Sequence, residues 1–272
     1  MNDALALHTA TRRYALEQYS LWRSRYSDIM RKRNDRKRDD YHYTSEALAT
    51  FPRYNVLNAI RIELERIEPS TLDDLENTRK RLIIACETAQ DIFTENPIGK
   101  TDERAMADER EGFVRFIKAL VPFDLDKVEP LPYRRVLTPD ESNCLWARLQ
   151  EQWKISDRMW FPLSQCDLPG VLAFKASAFS KEVPCEHLRT VLGKHNIERV
   201  WELKEYGPEY EQDASLFDPY YDGAEGYWTS GTMDWLIYAS HENSITVAGW
   251  LLQELKVIWP KCAERLWSNP FD

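Results

Sequence analysis

Residues 234–248, which read DWLIYASHENSITVA, predict a β-hairpin. Apolar residues occupy every second position from Trp235 to Ala239 and recur at Ile245 and Val247, as in a strand with one face in a core. A turn at 241–243 sets Ala239 opposite Ile245, so both strands direct their aliphatic side chains to one face. Asn243 then takes the last turn position, where the backbone is left-handed and asparagine is tolerated.

Further strands and helices are predicted on both sides of this hairpin. Apolar residues favour strands at 171–179, 199–206 and 226–230. Thr138 and Pro139 begin a helix that ends near Lys154, a second helix covers 184–195, and a third follows Gly249 and is interrupted or kinked at Pro260. Because strand, helix and strand over 171–206 are typical of a parallel crossover, we expect a mixed sheet with flanking helices.

The N-terminal part of the chain has the periodicity of amphipathic helices, which predicts an antiparallel helical bundle. Pro52 suits the first turn of the second helix, Ser70 can cap the third, and Pro122 ends the fourth. The four predicted apolar stripes are Ala15, Tyr19, Trp22, Tyr26 and Ile29; Val56, Ile60, Leu64 and Ile67; Leu75, Leu82, Cys86, Ala89 and Phe93; and Phe113, Phe116, Ile117 and Leu120.

Proline spacing and tryptophan content divide the chain. Prolines at 122, 130, 132 and 139 favour extended backbone, and nine of the ten tryptophans follow this segment. We therefore predict an α+β protein with a helical bundle domain at 1–121, a proline-rich linker at 122–138 and an α+β domain at 139–272.

The net charge is concentrated in residues 198–242. This stretch holds eleven acidic and two basic residues, a balance of −9 that equals the net charge of the whole chain. It also contains ten aromatic residues. Acidic groups steer a basic partner and rigid aromatic rings supply buried contact area, so the composition favours recognition of a basic macromolecule.

The predicted contact surface is the loop at 207–226, because core building does not explain its tyrosines and long loops often carry function. The expected contact residues are Tyr210, Glu211, Asp213, Tyr220, Tyr221 and Asp222, with the tyrosines as anchors and the acids as steering groups. The leading hypothesis is a non-enzymatic intracellular binding protein with a basic protein partner. By analogy, an immunity, antitoxin or defence-associated factor would have this character.

Two alternatives belong to other functional classes. A hydrolase would use His241 with Glu242 or Glu225, because a carboxylate orients an imidazole and raises its pKa. A solvent-facing His241 would argue against this enzyme. A nucleic-acid-binding protein would use the basic run that begins at Arg31 and ends at Arg38, although the sequence shows no aromatic platform beside it.

No metal or cofactor site is predicted. Cys185 and His187 are two residues apart on a predicted helix and point in different directions, and Asp218, Asp222 and Glu225 do not follow the EF-hand order. The five cysteines are scattered without a CxxC pair, which favours a reducing compartment such as the cytoplasm. No apolar run approaches the roughly 20 residues that span a membrane.

Overall fold

The computed structural model describes residues 2–32, 43–156, 158, 160 and 168–268. The chain forms two compact units, Met1–Leu131 and Pro132–Asp272. The first is helical and the second is built on a sheet, which confirms the α+β class. In the described residues, no helix is long and apolar enough to cross a membrane.

The first unit contains the helices α1 (Asp3–Lys32), α2 (Ser45–Glu65), α3 (Leu75–Thr88), α4 (Lys100–Ala119) and α5 (Pro122–Leu125). His8 of α1 lies 3.0 Å from the carbonyl of Leu64 at the end of α2, whereas Tyr26 packs on Phe51 near the start of α2, so these helices are antiparallel. Arg79 at the start of α3 donates to the carbonyl of Leu120, just beyond the end of α4, over 3.0 Å. The antiparallel bundle is therefore confirmed.

Several helix boundaries differ from the prediction. Thr44 caps α2, so Pro52 lies inside this helix and not in its first turn. Asp74 caps α3 by accepting from the amide of Asn77, and Ser70 belongs to a short 3₁₀ turn. Phe93 lies beyond the end of α3 and is 62% exposed, so it does not extend the apolar stripe.

The second unit is organised around a seven-stranded sheet in the order β1-β4-β3-β5-β6-β7-β2, and every neighbouring pair is antiparallel. The strands are β1 (Arg134–Val136), β2 (Val171–Lys175), β3 (Arg199–Lys204), β4 (Tyr210–Asp213), β5 (Gly226–Thr229), β6 (Trp235–Ser240) and β7 (Ser244–Gly249). The predicted mixed sheet is therefore wrong. β2 and β3 do run in the same direction, but β7, β6 and β5 lie between them.

The hairpin is confirmed in register and turn. Ile237 pairs with Val247 and Ala239 with Ile245, and Asn243 has φ +60°. All six residues of β6 are buried, because helices cover both faces of the sheet at this central strand. The short β5 next to it is also confirmed.

Helices α6 (Pro139–Trp153), α7 (Ala176–Glu182), α8 (Cys185–Lys194) and α9 (Trp250–Ile258) cover the sheet. The core on one face includes residues of α7, α8 and α9, and the core on the other includes four residues of α6. Thr138 caps α6 through a capping box with Glu141. One prediction is corrected, because α7 replaces the second half of the long strand predicted at 171–179. Of the two outcomes expected at Pro260, the structure shows the interruption, since α9 ends at Ile258.

The proline-rich segment at 122–138 is not an irregular linker along its length. Leu125 of α5 is 2% exposed in the core of the first unit. Arg134–Val136 forms β1, which pairs with β4 at an edge of the sheet. Pro122 is the first residue of α5, and Pro130 and Pro132 precede β1, at positions where the backbone does not need an N–H for pairing.

Candidate functional site

Three chain segments meet at one end of the sheet. β3 ends and β5 begins there, since Lys204 pairs with Gly226, and Gly226 in turn pairs with Ala239 near the turn between β6 and β7. This register brings Glu205, Glu225 and His241 to the same end, although Glu205 and His241 are 36 positions apart in the sequence. We call this region the acidic end of the sheet.

Glu225 is the buried centre of the acidic end. Its side chain is 5% exposed and accepts hydrogen bonds from the hydroxyl groups of Tyr238 and Ser240, the latter over 3.3 Å. The backbone amide of His241 donates to the same carboxylate over 3.2 Å, and Nδ1 of His241 also contacts it. A buried carboxylate needs this many partners, because burial without them would strongly disfavour its charge.

His241 itself faces solvent, with 67% of its side chain exposed. The hydrogen bond with Glu225 raises the pKa of His241, because the carboxylate stabilises the imidazolium form. The solvent-facing ring is the arrangement that we expected of an ordinary turn residue and not of a hydrolase base in a cleft. Glu242, the other carboxylate considered for that enzyme, is exposed in the same turn.

Three tyrosines are exposed near this end: Tyr206 by 59%, Tyr220 by 49% and Tyr221 by 40%. The hydroxyl group of Tyr206 donates to the carbonyl of Gly223, which ties the end of β3 to the segment before β5. Partial burial raises the pKa of Tyr221, and the neighbouring charges of Glu225, Glu205 and Asp222 act in the same direction. The tyrosines and the carboxylates therefore share one surface.

Tyr210 must be withdrawn from the predicted contact residues, because only 1% of it is exposed. It lies in β4, between β1 and β3, and the guanidinium of Arg134 lies 3.8 Å from the centre of its ring. The predicted loop at 207–226 is thus partly a strand. Its polar residues do not show a strand pattern, and β4 is held on one side by the preceding strand β3 and on the other by β1, which is distant in sequence.

Many acids of the 198–242 stretch are paired within the second unit. Arg134, Arg135 and Arg158 supply three of these pairs from outside the stretch, so the acidic surplus at the surface is smaller than the sequence indicates. The ion pairs are Glu202 with Arg134 and Lys204, Glu209 with Arg158, Glu211 with Arg135, Asp213 with Arg199, and Asp222 with Lys204.

The six predicted contact residues therefore separate into two groups. Tyr220, Tyr221 and Asp222 lie on the exposed segment before β5. Tyr210, Glu211 and Asp213 lie in β4, where the two acids are half-buried in ion pairs. Tyr206, which was predicted to end the strand at 199–206 and was not among the six expected contact residues, is the most exposed of the tyrosines in this region.

Within the part of the chain that the structure describes, no group of three or more histidine, cysteine, aspartate or glutamate side chains could hold a metal ion. Asp218, Asp222 and Glu225 each have a different partner: Cys185, Lys204 and His241. Burial and the contact with Asp218 raise the pKa of Cys185 to about 12, so this thiol is protonated at neutral pH.

The basic run at 31–38 is described only in part. Arg31 and Lys32 end α1, and Arg31 pairs with Asp28 one turn earlier. The remaining residues of the run, through Arg38, lie outside the described ranges.

Comparisons with known proteins add no functional information. No family model matches the sequence, and neither a curated protein nor a solved structure is similar enough to count as a match. A proposal of function for this chain therefore depends on its own residues and their geometry.

Proposed function

We propose that this protein is a non-enzymatic intracellular binding protein that engages a basic protein partner through the acidic end of the sheet. The observation that carries the proposal is the exposure of Tyr206, Tyr220 and Tyr221 beside the carboxylates of Glu205 and Asp222. Tyrosine supplies a large contact area at a low entropic cost, and acidic groups around it speed the encounter with a basic surface.

The proposed contact set is Tyr206, Tyr220 and Tyr221 as anchors, with Glu205 and Glu242 as steering acids around them. Asp222 lies beside them, but it forms an ion pair with Lys204. Glu211 and Asp213 are better assigned to the stability of β4, because they form ion pairs with Arg135 and Arg199. The acids at this end would act mainly on the rate of association with the partner. This rate should depend on salt, because dissolved ions screen the attraction between exposed charges beyond about 10 Å at 0.1 M salt.

The proposed setting is the cytoplasm, and the proposed role is that of an immunity, antitoxin or defence-associated factor that masks a basic, nuclease-like partner. Four cysteines in the described residues, Cys86, Cys144, Cys185 and Cys262, are free thiols, which suits a reducing compartment. The protective role rests on analogy with other acidic proteins that cover basic ones.

The test is capture of interacting proteins from extracts of the native host, followed by affinity measurements on each purified candidate at several salt concentrations. Glu205→Lys with Glu242→Lys should slow association and flatten its salt dependence, and Tyr206→Ser with Tyr221→Ser should speed dissociation. Glu87→Lys with Glu95→Lys is the matched control, because both residues are exposed in the first unit and the change in net charge is the same. Equal binding by the wild type and both acidic-end variants, or equal losses in the control, would contradict the proposal.

A further inference from the structure

The second half of α1 has an unusual environment. The buried residues of this helix all lie between Ala4 and Ala15, although the helix continues to Lys32. The remaining 17 residues extend about 25 Å at 1.5 Å per residue. In this half, Leu21, Arg25, Asp28 and Lys32 are exposed at steps of three and four residues, so one long face of the helix is accessible.

Aromatic rings line the contact between these two helix segments. Tyr19, Trp22 and Tyr26 recur at steps of three and four residues along one face of α1. The ring of Tyr54 in α2 lies 6.2 Å from that of Tyr19 and 5.5 Å from that of Tyr26, and Phe51 lies 6.2 Å from Tyr26. All five rings are half-buried, so each keeps part of its surface in contact with solvent.

Arginines lie over these rings. The guanidinium groups of Arg25 and Arg53 are 4.6 Å and 4.9 Å from the centre of Trp22, and that of Arg23 is 5.9 Å from Tyr19. Arg53 also forms ion pairs with Asp108 and Glu109 of α4, which neutralise its charge. Arg23 and Arg25 are exposed.

The charge of this region opposes that of the chain. Residues 19–32 contain four bases, Arg23, Arg25, Arg31 and Lys32, and one acid, Asp28. The net charge of the chain is −9. We call the surface formed by residues 19–32 of α1 and 45–54 of α2 the basic arm.

We propose that the basic arm binds single-stranded nucleic acid. Its arginines and Lys32 would contact phosphates, and its half-buried rings would stack on unpaired bases, the two contacts that such binding combines. Arginine planes over aromatic rings add a further stacking surface. The aromatic platform that the sequence did not reveal is supplied by Tyr19, Trp22 and Tyr26 together with α2. This inference is independent of the basic protein partner proposed for the acidic end.

The first test measures binding of a fluorescein-labelled oligothymidylate of about 20 nucleotides to the full-length protein by fluorescence anisotropy over a range of KCl concentrations. We expect binding that weakens steeply with salt. Arg23→Glu with Arg25→Glu should weaken binding at least tenfold and reduce the slope of log K against log[KCl] by about 1.4, because each lost phosphate contact removes about 0.7. Arg115→Glu with Lys118→Glu, on the exposed face of α4, is the control with the same change in charge.

The second test separates stacking from charge. Trp22→Leu should weaken binding several-fold at unchanged net charge, and Trp22→Phe should retain more of the affinity, with thermal unfolding used to confirm that both variants fold. No binding of the oligonucleotide by the wild type, or equal weakening by the α4 control, would overturn the proposal. Equal affinity for a duplex of the same length, or tighter binding to vesicles of anionic phospholipid, would likewise overturn it, because neither offers unpaired bases.

Discussion

The pair formed by Glu225 and His241 makes stability depend on pH at the scale of single residues. The hydrogen bond with Glu225 raises the pKa of His241 above its ordinary value of about 6.5. Its contribution to stability is therefore fully present below that ordinary value and is lost as the pH rises through the raised pKa. We expect His241→Gln to destabilise the protein more at pH 6 than at pH 9, as measured by urea unfolding at both pH values.

A double-mutant cycle provides the control for this prediction. In the Glu225→Gln background the imidazolium has lost its hydrogen-bonded carboxylate, so the effect of His241→Gln should then differ much less between the two pH values. An unchanged pH dependence in that background would show that another group is responsible.

At the residue scale, the sequence shows where acidic and aromatic residues are concentrated, but it does not show which residues contact them in the fold. It located the acids of 198–242 and their tyrosines, but it could not show that Arg134 and Arg135 lie against them, because that contact depends on β1 pairing with β4. It could not show the burial of Tyr210 for the same reason. A base that neutralises an acid can come from any distance along the chain, whereas a local charge count includes only neighbours.

Two glycines differ in backbone conformation and in the space available for a side chain, so their substitution by alanine should affect stability differently. Gly249 lies between β7 and α9 with φ +71°, and a Cβ placed there would lie 2.0 Å from the carbonyl oxygen of Asp234. Gly193 lies in α8, and a Cβ placed there would meet no atom within 4 Å. Gly249→Ala should therefore destabilise the protein by several kcal/mol, because strain adds to the clash.

Gly193→Ala should have the opposite sign and stabilise the protein by about 0.5–1 kcal/mol, because alanine loses less conformational entropy in a helix. Urea unfolding of the two variants and the wild type checks both signs. A neutral Gly249→Ala would contradict the conformation assigned to the junction of β7 and α9.

Elements with local determinants were predicted well, and elements with distant partners were not. The hairpin of β6 and β7 is specified by alternation and by Asn243 at its turn, all within one short segment. The order of strands in the sheet depends on contacts between segments far apart, so apolar patterns at 171–179 and 199–206 could not distinguish adjacent parallel strands from strands separated by β5, β6 and β7. β4 was missed because its polar residues lack a strand pattern.

At the scale of the whole molecule, each unit has its own hydrophobic core. The core of the helical unit contains residues from Ala6 to Val128, and both cores of the sheet unit contain residues only after Val136. Cores that share no residue are typical of domains that fold independently. We therefore expect fragments 1–131 and 132–272 each to unfold cooperatively in urea, as measured by circular dichroism.

The position of the boundary between the units can be tested by comparing the stability of two fragments. A fragment that ends at 121, where the first proline of the proline-rich segment suggests a border, lacks Leu125, which is 2% exposed, and the 2.7 Å hydrogen bond from Arg13 to the carbonyl of Glu129. Burial of one leucine contributes about 1.5–3 kcal/mol, so fragment 1–121 should be less stable than 1–131 by at least about 2 kcal/mol.

Within 1–131, Leu125→Ala should reproduce most of this loss, whereas Phe123→Ala, at a side chain that is 68% exposed, should change stability by no more than about 0.5 kcal/mol. Equal stability of the two fragments would place the end of the helical unit before α5, because the hydrophobic contacts of α5 would then contribute nothing to its folding.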